Sequence, residues 1–424
     1  MKSLVHLMTV AALMMLLAEA PVSGATLQVS SNGADSAACG ASNPCATLQQ
    51  AVANAAAGDS ILVGPGRYAG ATVDKKVKLW SSAGTGAAVL TSQMVLATDG
   101  ITFGLLGKGF SFAIAGPVAD PLIQVAGADV TVRGNVLGGY LTGVAVSGAG
   151  AIVRDNTLSN LSTGVTVGAP DAIIRDNSFN GCPVAIRIVS SGATVRGNRI
   201  GMTLGGSGIV LDGASSGADV EENRITSTDG PAVRISGVGH LLRRNVAQGS
   251  FTAFIGEAGA GDVQLVENVV RGSSFQGFAI NGGSDWVLLR NAVLGCNGNG
   301  FAVNTAAGTS VALEGNTAIG CSGSGFQIQG SGDYTLAGTT AINCSGNGID
   351  LQFLNGSTTV TGGNIYGNGI CGLQGPSFTT IAAEDIYWGA ASGPGPDPAD
   401  TACGMVTASS YASLAAPIKL PPVK

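Results

Sequence analysis

The sequence predicts an all-β solenoid, a parallel β-helix with three short strands in each coil of 21–25 residues. Two observations lead to this fold class. The chain combines 67 glycines and 45% hydrophobic residues with only 11% charged residues, which is typical of short strands joined by tight turns. An Asn also recurs every 21–25 residues. The repeat is clearest in the near-identical hexapeptides AIVRDN and AIIRDN, which end at Asn156 and Asn177.

The first 25 residues are predicted to be a signal peptide. Lys2 precedes an apolar run from Leu4 to Leu17, and small residues follow at Ser23–Ala25. The run is too short for a good membrane span, and no later segment is long enough. Removing it deletes one positive and one negative charge, so the net charge stays at −6, which argues against nucleic-acid binding. We therefore expect an exported bacterial protein, either secreted, periplasmic or at the cell surface.

Export permits disulfide bonds, and the two ends of the chain carry candidate pairs. Cys39 and Cys45 bracket a short loop and are the most obvious pair, while Cys371 and Cys403 could close the far end. No Cys or His spacing typical of a zinc site is present.

The chain divides into a signal peptide, an N-terminal cap, a solenoid and a C-terminal cap. Residues 26–60 form the N-terminal cap, in which an amphipathic helix places its apolar residues on one face: Leu48, Ala51, Val52 and Ala55. Residues 61–386 form the β-helix. Residues 387–424 form the C-terminal cap or tail, because the segment GPGPDP cannot continue a strand ladder.

Two aliphatic columns around the recurring Asn predict the core. Three residues before the Asn stand Val132, Val153, Ile174, Val195, Val220, Leu242, Leu265, Leu288, Leu313 and Leu336. Two residues after it stand Leu137, Leu158, Phe179, Ile200, Ile225, Ala247, Val270, Val293, Ala318 and Ala341. A third apolar segment follows in each coil, such as TGVAV or NGFAV, so each coil holds three strands of period two.

The recurring Asn is predicted to be structural. It should occupy a tight turn, tolerate a left-handed backbone there, and stack its amide on the amides of neighbouring coils. This ladder comprises Asn135, Asn156, Asn177, Asn198, Asn223, Asn245, Asn268, Asn291 and Asn316.

The repeat form x-V-x-x-N…G-[IVF]-x-[VIL] resembles the right-handed parallel β-helix of the pectin-lyase-like superfamily. The segments NPCATLQQAVANAAAGDSILVGPGRYAG, residues 43–70, and YWGAASGPGPDPAD, residues 387–400, resemble the opening and closing segments of its secreted bacterial members. The resemblance implies that a short helix caps the first coil and that GDSILVGPGRY supplies the first strand. Because lyases, hydrolases, epimerases, adhesins and periplasmic accessory proteins share this scaffold, it does not define an activity.

An arginine stripe is the first candidate binding feature. Its members stand two residues before the Asn and face outward: Arg133, Arg154, Arg175 and Arg196. Neighbours are about 4.8 Å apart, so the row could grip an anionic polysaccharide through bidentate carboxylate contacts. The alternative is a solvated face in which Asp155 and Asp176 interleave with the arginines.

The third strand of the coil carries the candidate catalytic residues, because in enzymes of the resembled superfamily this strand lines the substrate cleft. Asp212, Arg234 and Glu257 occupy outward positions, and Asp229 lies in the preceding turn. Carboxylates beside an Arg could hold Ca²⁺ against a uronate while the Arg takes a proton, as in polysaccharide lyases. Two carboxylates alone could act as acid and base in glycoside hydrolysis.

The remaining cysteines and histidine are predicted to be structural. Cys182, Cys296, Cys321 and Cys344 each lie five residues after the ladder position, where small buried side chains or one disulfide between coils are expected; their pairing stays open. His240 stands at a turn packing position.

Regular coils, short turns and sparse charge favour a secreted, monomeric, non-catalytic β-helix that binds a polysaccharide or cell-surface glycan or serves as a surface component. It needs no cofactor or metal. A polysaccharide lyase or glycoside hydrolase acting on an acidic polysaccharide is the alternative, and Ca²⁺ enters only there. A periplasmic accessory protein would need grouped, exposed His, Met or Cys, which the pattern does not provide.

Overall fold

The computed structural model describes residues 24–36, 38–114, 121–139, 142–203 and 205–422. These residues form one helix and 46 strands, and the strands lie in three sheets, A, B and C, that follow one another in each coil. Every strand pairs with the equivalent strand of the next coil in parallel, as in Ile152–Arg154 with Ile173–Arg175. The predicted all-β parallel β-helix is therefore confirmed, with about 14 coils. The predicted signal peptide lies outside the described residues except for Gly24 and Ala25.

The strands of sheet A are Thr26–Val29, Ser60–Val63, Lys78–Ser81, Thr102–Phe103, Thr131–Arg133, Ile152–Arg154, Ile173–Arg175, Thr194–Arg196, Asp219–Glu221, Leu241–Arg243, Gly261–Val266, Ser284–Leu289, Ser310–Glu314, Asp333–Ala337, Ser357–Thr361, Ile381–Glu384 and Val406–Thr407. Those of sheet B are Gly66–Tyr68, Ala88–Leu90, Ser111–Phe112, Val136–Gly138, Thr157–Ser159, Ser178–Asn180, Arg199–Thr203, Arg224–Thr228, Val246–Gln248, Val269–Ser273, Ala292–Cys296, Thr317–Cys321, Thr340–Ile342 and Asn364–Tyr366. Those of sheet C are Thr72–Val73, Met94–Leu96, Ile123–Val125, Thr142–Val146, Thr163–Val167, Val184–Ile188, Ser207–Leu211, Val233–Ile235, Phe254–Gly256, Phe278–Asn281, Phe301–Thr305, Phe326–Gly330, Ile349–Asp350, Leu373–Gln374 and Ala402–Cys403.

The core runs along the axis between the three sheets. Every member of the two predicted aliphatic columns is at most 2% exposed, so both columns face inward as expected. Sheet C adds a stack of four buried rings in consecutive coils, Phe254, Phe278, Phe301 and Phe326, with centroids 4.7–4.8 Å apart. The stack forms because the coils are in register, so identical residues lie one strand spacing apart.

The Asn ladder forms at the turn between sheets A and B. In each step, the backbone N–H and the Nδ2 of one Asn both donate to the Oδ1 of the next, as Asn198 does to Asn223 at 3.0 Å each. The Nδ2 also donates back to a core-strand carbonyl of the previous coil, as Asn223 does to Val195 at 2.8 Å. All nine amides are at most 1% exposed. The ladder therefore satisfies buried polar groups that no water reaches.

The left-handed residue of this turn is not the Asn, as predicted, but the residue before it. Asp155, Asp176 and Glu222 have φ of 55°, 56° and 54°, and Gly134 and Gly197 occupy the same position in other coils. The Asn itself is not left-handed, because its own N–H must point along the stack to reach the next amide.

At the N-terminal end, the predicted capping helix is present as α1, Leu48–Asn54, with Thr47 Oγ1 accepting from the N–H of Gln50 at 3.2 Å. Its apolar face is buried, with Ala51 and Val52 at 0% exposure. The first strand, however, is Thr26–Val29 rather than GDSILVGPGRY, because Thr26–Val29 pairs with Ser60–Val63 before the chain enters the helix. Sheet A thus begins ahead of the helix.

At the C-terminal end, the chain folds back on the stack. Thr339 interrupts the Asn ladder, and Asn364 follows one coil later. There the backbone of Ala416 replaces the missing amide partner: its N–H donates to Asn364 Oδ1 at 2.8 Å and its carbonyl accepts from Nδ2 at 3.0 Å. The tail therefore supplies hydrogen-bond partners to the amide of Asn364, which has no ladder Asn in the next coil.

Both predicted disulfides, Cys39–Cys45 and Cys371–Cys403, are present, one at each end of the stack. Disulfides of this kind indicate an extracellular protein. They link segments that lack the full three-strand pairing of the central coils.

Candidate functional site

The predicted arginine stripe is in register on the outer face of sheet A, in the order Arg133, Arg154, Arg175 and Arg196. Each guanidinium lies within 4.0 Å of a carboxylate. Arg133 Nε donates to Asp155 Oδ2 at 2.8 Å, and Arg175 Nη1 donates to Asp176 Oδ2 at 2.7 Å. Arg196 lies 3.3 Å from both Glu221 and Glu222. The stripe is therefore a network of ion pairs.

The left-handed turn creates this network, because it supplies Asp155 and Asp176 directly after the arginines. Arg154 is the least tightly paired member, at 3.9 Å from Asp155. Burial lowers the pKa of Arg154, and the neighbouring charges of Arg133 and Arg175 lower it further. Anion binding by the stripe stays a prediction, and any ligand has to compete with these internal carboxylates.

On sheet C, the predicted catalytic residues form two separate cross-coil pairs. Arg187 Nη2 approaches Asp212 Oδ2 at 2.5 Å, and Arg234 Nε approaches Glu257 Oε1 at 2.7 Å. Ser236 adds a hydrogen bond to Glu257 Oε2 at 2.6 Å. The structure thus brings Arg234 and Glu257 together and gives Asp212 a different arginine.

These pairs have consequences for chemistry. The hydrogen bond from Arg187 lowers the pKa of Asp212, so this carboxyl stays ionised and cannot serve as a general acid near neutral pH. Arg234 is held in an ion pair by Glu257, with its Nε 2.7 Å from Oε1, so its guanidinium already has an internal partner. Asp229 is exposed in its turn and forms no ion pair with another described residue. In the described ranges no three His, Cys, Asp or Glu residues are grouped to hold a metal ion.

An exposed aromatic pair lies at the turn between sheets B and C. Phe251 and Phe275 are 50% and 45% exposed, and their rings stack with centroids 5.5 Å apart and an interplanar angle of 25°. Backbone hydrogen bonds align them, because Phe275 N–H donates to Phe251 O and Phe251 N–H donates to Thr228 O. Asp229 therefore occupies, in the preceding coil, the turn position that Phe251 occupies in its own coil. Exposed rings that contact each other have an apolar face available for a ligand.

Polar and small residues continue from this pair across the outer face of sheet C. Asn281, Asn304 and Gln329 are in register in three consecutive strands and form a row of amides. Between the ring pair and this row, Ile255 is in register with Ala279, and Ala279 is in register with Ala302; the two alanines are buried, at 1% and 8% exposure, so of these three residues only Ile255 is accessible. We call the six accessible residues the sheet C platform: Phe251, Phe275, Ile255, Asn281, Asn304 and Gln329.

The aromatic pair was missed in the sequence, although a signal was present. SFTAF and SSFQGF place a Ser–Phe dipeptide at Ser250 and Ser274, one coil length apart. Later coils have Gly298 and Gly323 at this turn position. A bulky aromatic residue that recurs at a turn lies outside the core columns, so it can be predicted from the sequence to be exposed.

His240 is buried at 1% exposure and has a defined tautomer. Its Nδ1 accepts from the N–H of Ala218 at 3.1 Å, so the proton lies on Nε2, which is 3.3 Å from Ser215 Oγ. Burial lowers the pKa of His240 to about 4. The imidazole is thus neutral and structural, in agreement with the predicted packing role.

We expect His240 to make stability depend on pH. Its pKa of about 4 in the folded protein lies below the ordinary value of 6.5, so between these values the unfolded chain binds the proton more readily. The free energy of unfolding should therefore fall as pH decreases from 6.5 to 4, by about 3 kcal/mol from this residue. Urea unfolding of the wild type and His240→Gln at several pH values measures it. If the free energy of unfolding depended equally on pH in the two proteins, His240 would not be the source of the pH dependence.

The four other cysteines are buried free thiols, and three of them, Cys296, Cys321 and Cys344, lie in consecutive coils. Cys296 and Cys321 are in register, with their sulfur atoms 2.7 Å apart. Hydrogen bonding with Cys296 and Cys344, together with burial, raises the pKa of Cys321, which keeps this thiol protonated. These residues fill the core rather than form a reactive site.

The model of the right handed beta helix region matches residues 122–269 and 232–375, which is more than half of the chain. The chain belongs to this right-handed β-helix family. The handedness implied by the sequence resemblance is thereby confirmed. No curated protein matches the chain in sequence.

Solved structures show the same fold at low identity. A PL6 alginate lyase in complex with a trisaccharide is 14% identical, with a TM-score of 0.52, over 74% of this chain and 86% of that one. XylC with xylose is 11% identical, with a TM-score of 0.47, over 70% and 84%. PfbA, a surface adhesin of Streptococcus pneumoniae, is 10% identical, with a TM-score of 0.44, over 69% and 84%.

In the described part of the chain, no helix is both long and apolar enough to cross a membrane.

Proposed function

We propose that this protein is an exported, non-catalytic β-helix protein that binds a polysaccharide on the sheet C platform. The observation that carries the proposal is the exposed Phe251–Phe275 stack beside a row of amides. The ion-paired state of Asp212, Arg234 and Glu257 supports binding over catalysis, because each titratable group already has an internal partner.

The chemistry of the platform suits a sugar chain. Pyranose rings present C–H groups on their faces, which pack on aromatic rings, and hydroxyl groups at their edges. Phe251 and Phe275 supply the aromatic surface. Asn281, Asn304 and Gln329 each offer an acceptor and two donors for hydroxyl groups, spaced by one strand at about 4.8 Å. A chain that runs obliquely across sheet C, from the turn at Phe275 toward Asn304, would meet both sets of groups.

Rigidity favours this function. The platform stands on in-register strands whose inward residues, such as Phe278 and Phe301, are fully buried. Because the backbone is held by parallel ladders on both sides, little conformational entropy is lost when a ligand binds.

The test is a binding screen of the protein against soluble polysaccharides, neutral and acidic, by affinity electrophoresis and calorimetry. Replacing Phe251 and Phe275 together with Ala should weaken binding about tenfold, equivalent to about 1.4 kcal/mol. Phe378→Ala is the matched control, since Phe378 is 93% exposed between strands Leu373–Gln374 and Ile381–Glu384, away from the platform. Loss of affinity in the control and not in the double variant would refute the assignment.

The same preparations test catalysis. We expect neither unsaturated products nor new reducing ends from polyuronates, with or without Ca²⁺. Product formation by the wild type that disappears in Arg234→Ala and Asp212→Ala would instead establish a polysaccharide lyase or hydrolase.

A further inference from the structure

Sheet B carries an arginine pair outside the residues considered so far. Arg199 and Arg224 each follow a ladder Asn directly and are in register in adjacent strands. Both are exposed. Their Cα positions are about 4.8 Å apart, so the two guanidinium groups can approach the same ligand group.

These arginines differ from their neighbours in having no carboxylate partner. On sheet A, Arg196 in the coil of Arg199 and Arg243 in the coil after Arg224 are both paired with Glu221. Arg224 Nη2 donates only to the neutral Gln248 Oε1, at 3.1 Å. Within the described ranges of the chain, neither Arg199 nor Arg224 lies within 4.0 Å of a carboxylate oxygen. Two adjacent positive charges without a counterion are mutually unfavourable, and an anionic ligand would relieve this.

The pair borders a concavity of about 400 Å³. None of its lining residues is acidic, and it is lined by Ser178, Phe179, Asn180, Arg199, Ile200, Gly201, Arg224 and Thr226. Gly201 lacks a side chain where its neighbours in register, Asn180 and Thr226, have one, so the surface is recessed between the polar groups. A hydroxyl and an amide therefore stand beside the guanidinium groups.

We propose that this sheet B recess binds the carboxylate of an acidic polysaccharide, a uronate unit of the chain whose other units contact the sheet C platform. The inference rests on the proposed function. Arginine suits this role because its planar group binds a carboxylate through two parallel hydrogen bonds. Strand Arg224–Thr228 leads through the turn containing Asp229 into sheet C, and this turn lies one coil before the turn that carries Phe251, so the recess and the platform lie on adjoining faces. An acidic polysaccharide would thus make a contact that a neutral one cannot make, between its carboxylate and the two arginines of the recess.

The test compares Arg199→Ala/Arg224→Ala with the wild type against polygalacturonate, dextran sulfate and neutral dextran at two salt concentrations. For polygalacturonate, the double variant should bind about tenfold more weakly and lose most of the salt dependence, while neutral binding is unchanged. Arg199→Lys/Arg224→Lys should recover only part of the affinity, because Lys cannot make the paired contacts. Arg290→Ala is the matched control, as its guanidinium is held by Glu267 at 3.0 Å and lies outside the stripe, the platform and the recess.

The outcomes separate the two proposals. If the Arg199/Arg224 variant binds polygalacturonate like the wild type while the Phe251/Phe275 variant does not, the recess is not a subsite and the platform stands. If dextran sulfate binds at the recess and polygalacturonate does not, the carboxylate assignment is wrong. If no polysaccharide is bound by the wild type, both proposals fail.

Discussion

Asn223→Ala is expected to lower the free energy of unfolding by about 3–5 kcal/mol, which would be among the largest effects of any single polar substitution here. The Oδ1 of Asn223 accepts from both the backbone N–H and the Nδ2 of Asn198, and its own Nδ2 donates to Val195 O and Asn245 Oδ1. Alanine removes all of these partners at once. Since the site is 1% exposed, no water replaces them.

Urea unfolding followed by circular dichroism measures this effect. Asn304→Ala is the matched control: Asn304 is an exposed residue in a sheet C strand, and its substitution should change stability by no more than about 0.5 kcal/mol. A similar small change for both variants would show that the ladder contributes little.

Thr339, which interrupts the Asn ladder, allows the opposite substitution, one that adds a ladder Asn. Thr339 is 1% exposed and its Oγ1 has no hydrogen-bond partner among the described residues. Thr339→Asn would offer an acceptor to the N–H and Nδ2 of Asn316, so we expect it to increase stability by about 1 kcal/mol. Loss of stability would indicate that this coil cannot accommodate the ladder geometry.

Phe301→Ala is the second large effect, with an expected loss of about 3–5 kcal/mol. Phe301 is fully buried, and its ring stacks on Phe278 at 4.8 Å and on Phe326 at 4.7 Å. The substitution leaves a cavity in the middle of the column and removes two ring contacts, which rigid in-register strands cannot close by collapse.

Thermal and urea unfolding of Phe301→Ala and Phe301→Leu measure this contribution, and near-ultraviolet circular dichroism reports the packing of the remaining rings. The Leu variant should lose less, because it fills more of the space. The surface control Phe378→Ala should be nearly neutral. If Phe301→Ala were neutral as well, the column would not be a rigid part of the core.

Stability and binding are linked by this arrangement. Phe301 lies in the strand that presents Asn304 on the platform, so a core change there alters the outer face as well. The double variant of Phe251 and Phe275 avoids this complication, since both rings lie at exposed turn positions. Binding should therefore be compared only among variants with wild-type unfolding free energies.

The sequence by itself determined the scaffold. Coil length, the two aliphatic columns and the Asn ladder repeat because each coil must place the same residue on its neighbour, and burial on one face enforces a period of two. The hexapeptides AIVRDN and AIIRDN illustrate this, as Val153, Ile174, Asn156 and Asn177 all occupy the predicted buried positions.

Only the tertiary structure decided the partners of the outward residues. Arg133, Arg187 and Arg199 all carry the same charge, yet the first is paired with Asp155, the second with Asp212, and the third with no carboxylate in the described part of the chain. Coils of unequal length bring different acids beside each arginine, and solvent-facing side chains are not constrained by the core period. The physical reason is that burial repeats with the coil, whereas ion pairing and aromatic contact depend on the residues that adjacent coils place side by side.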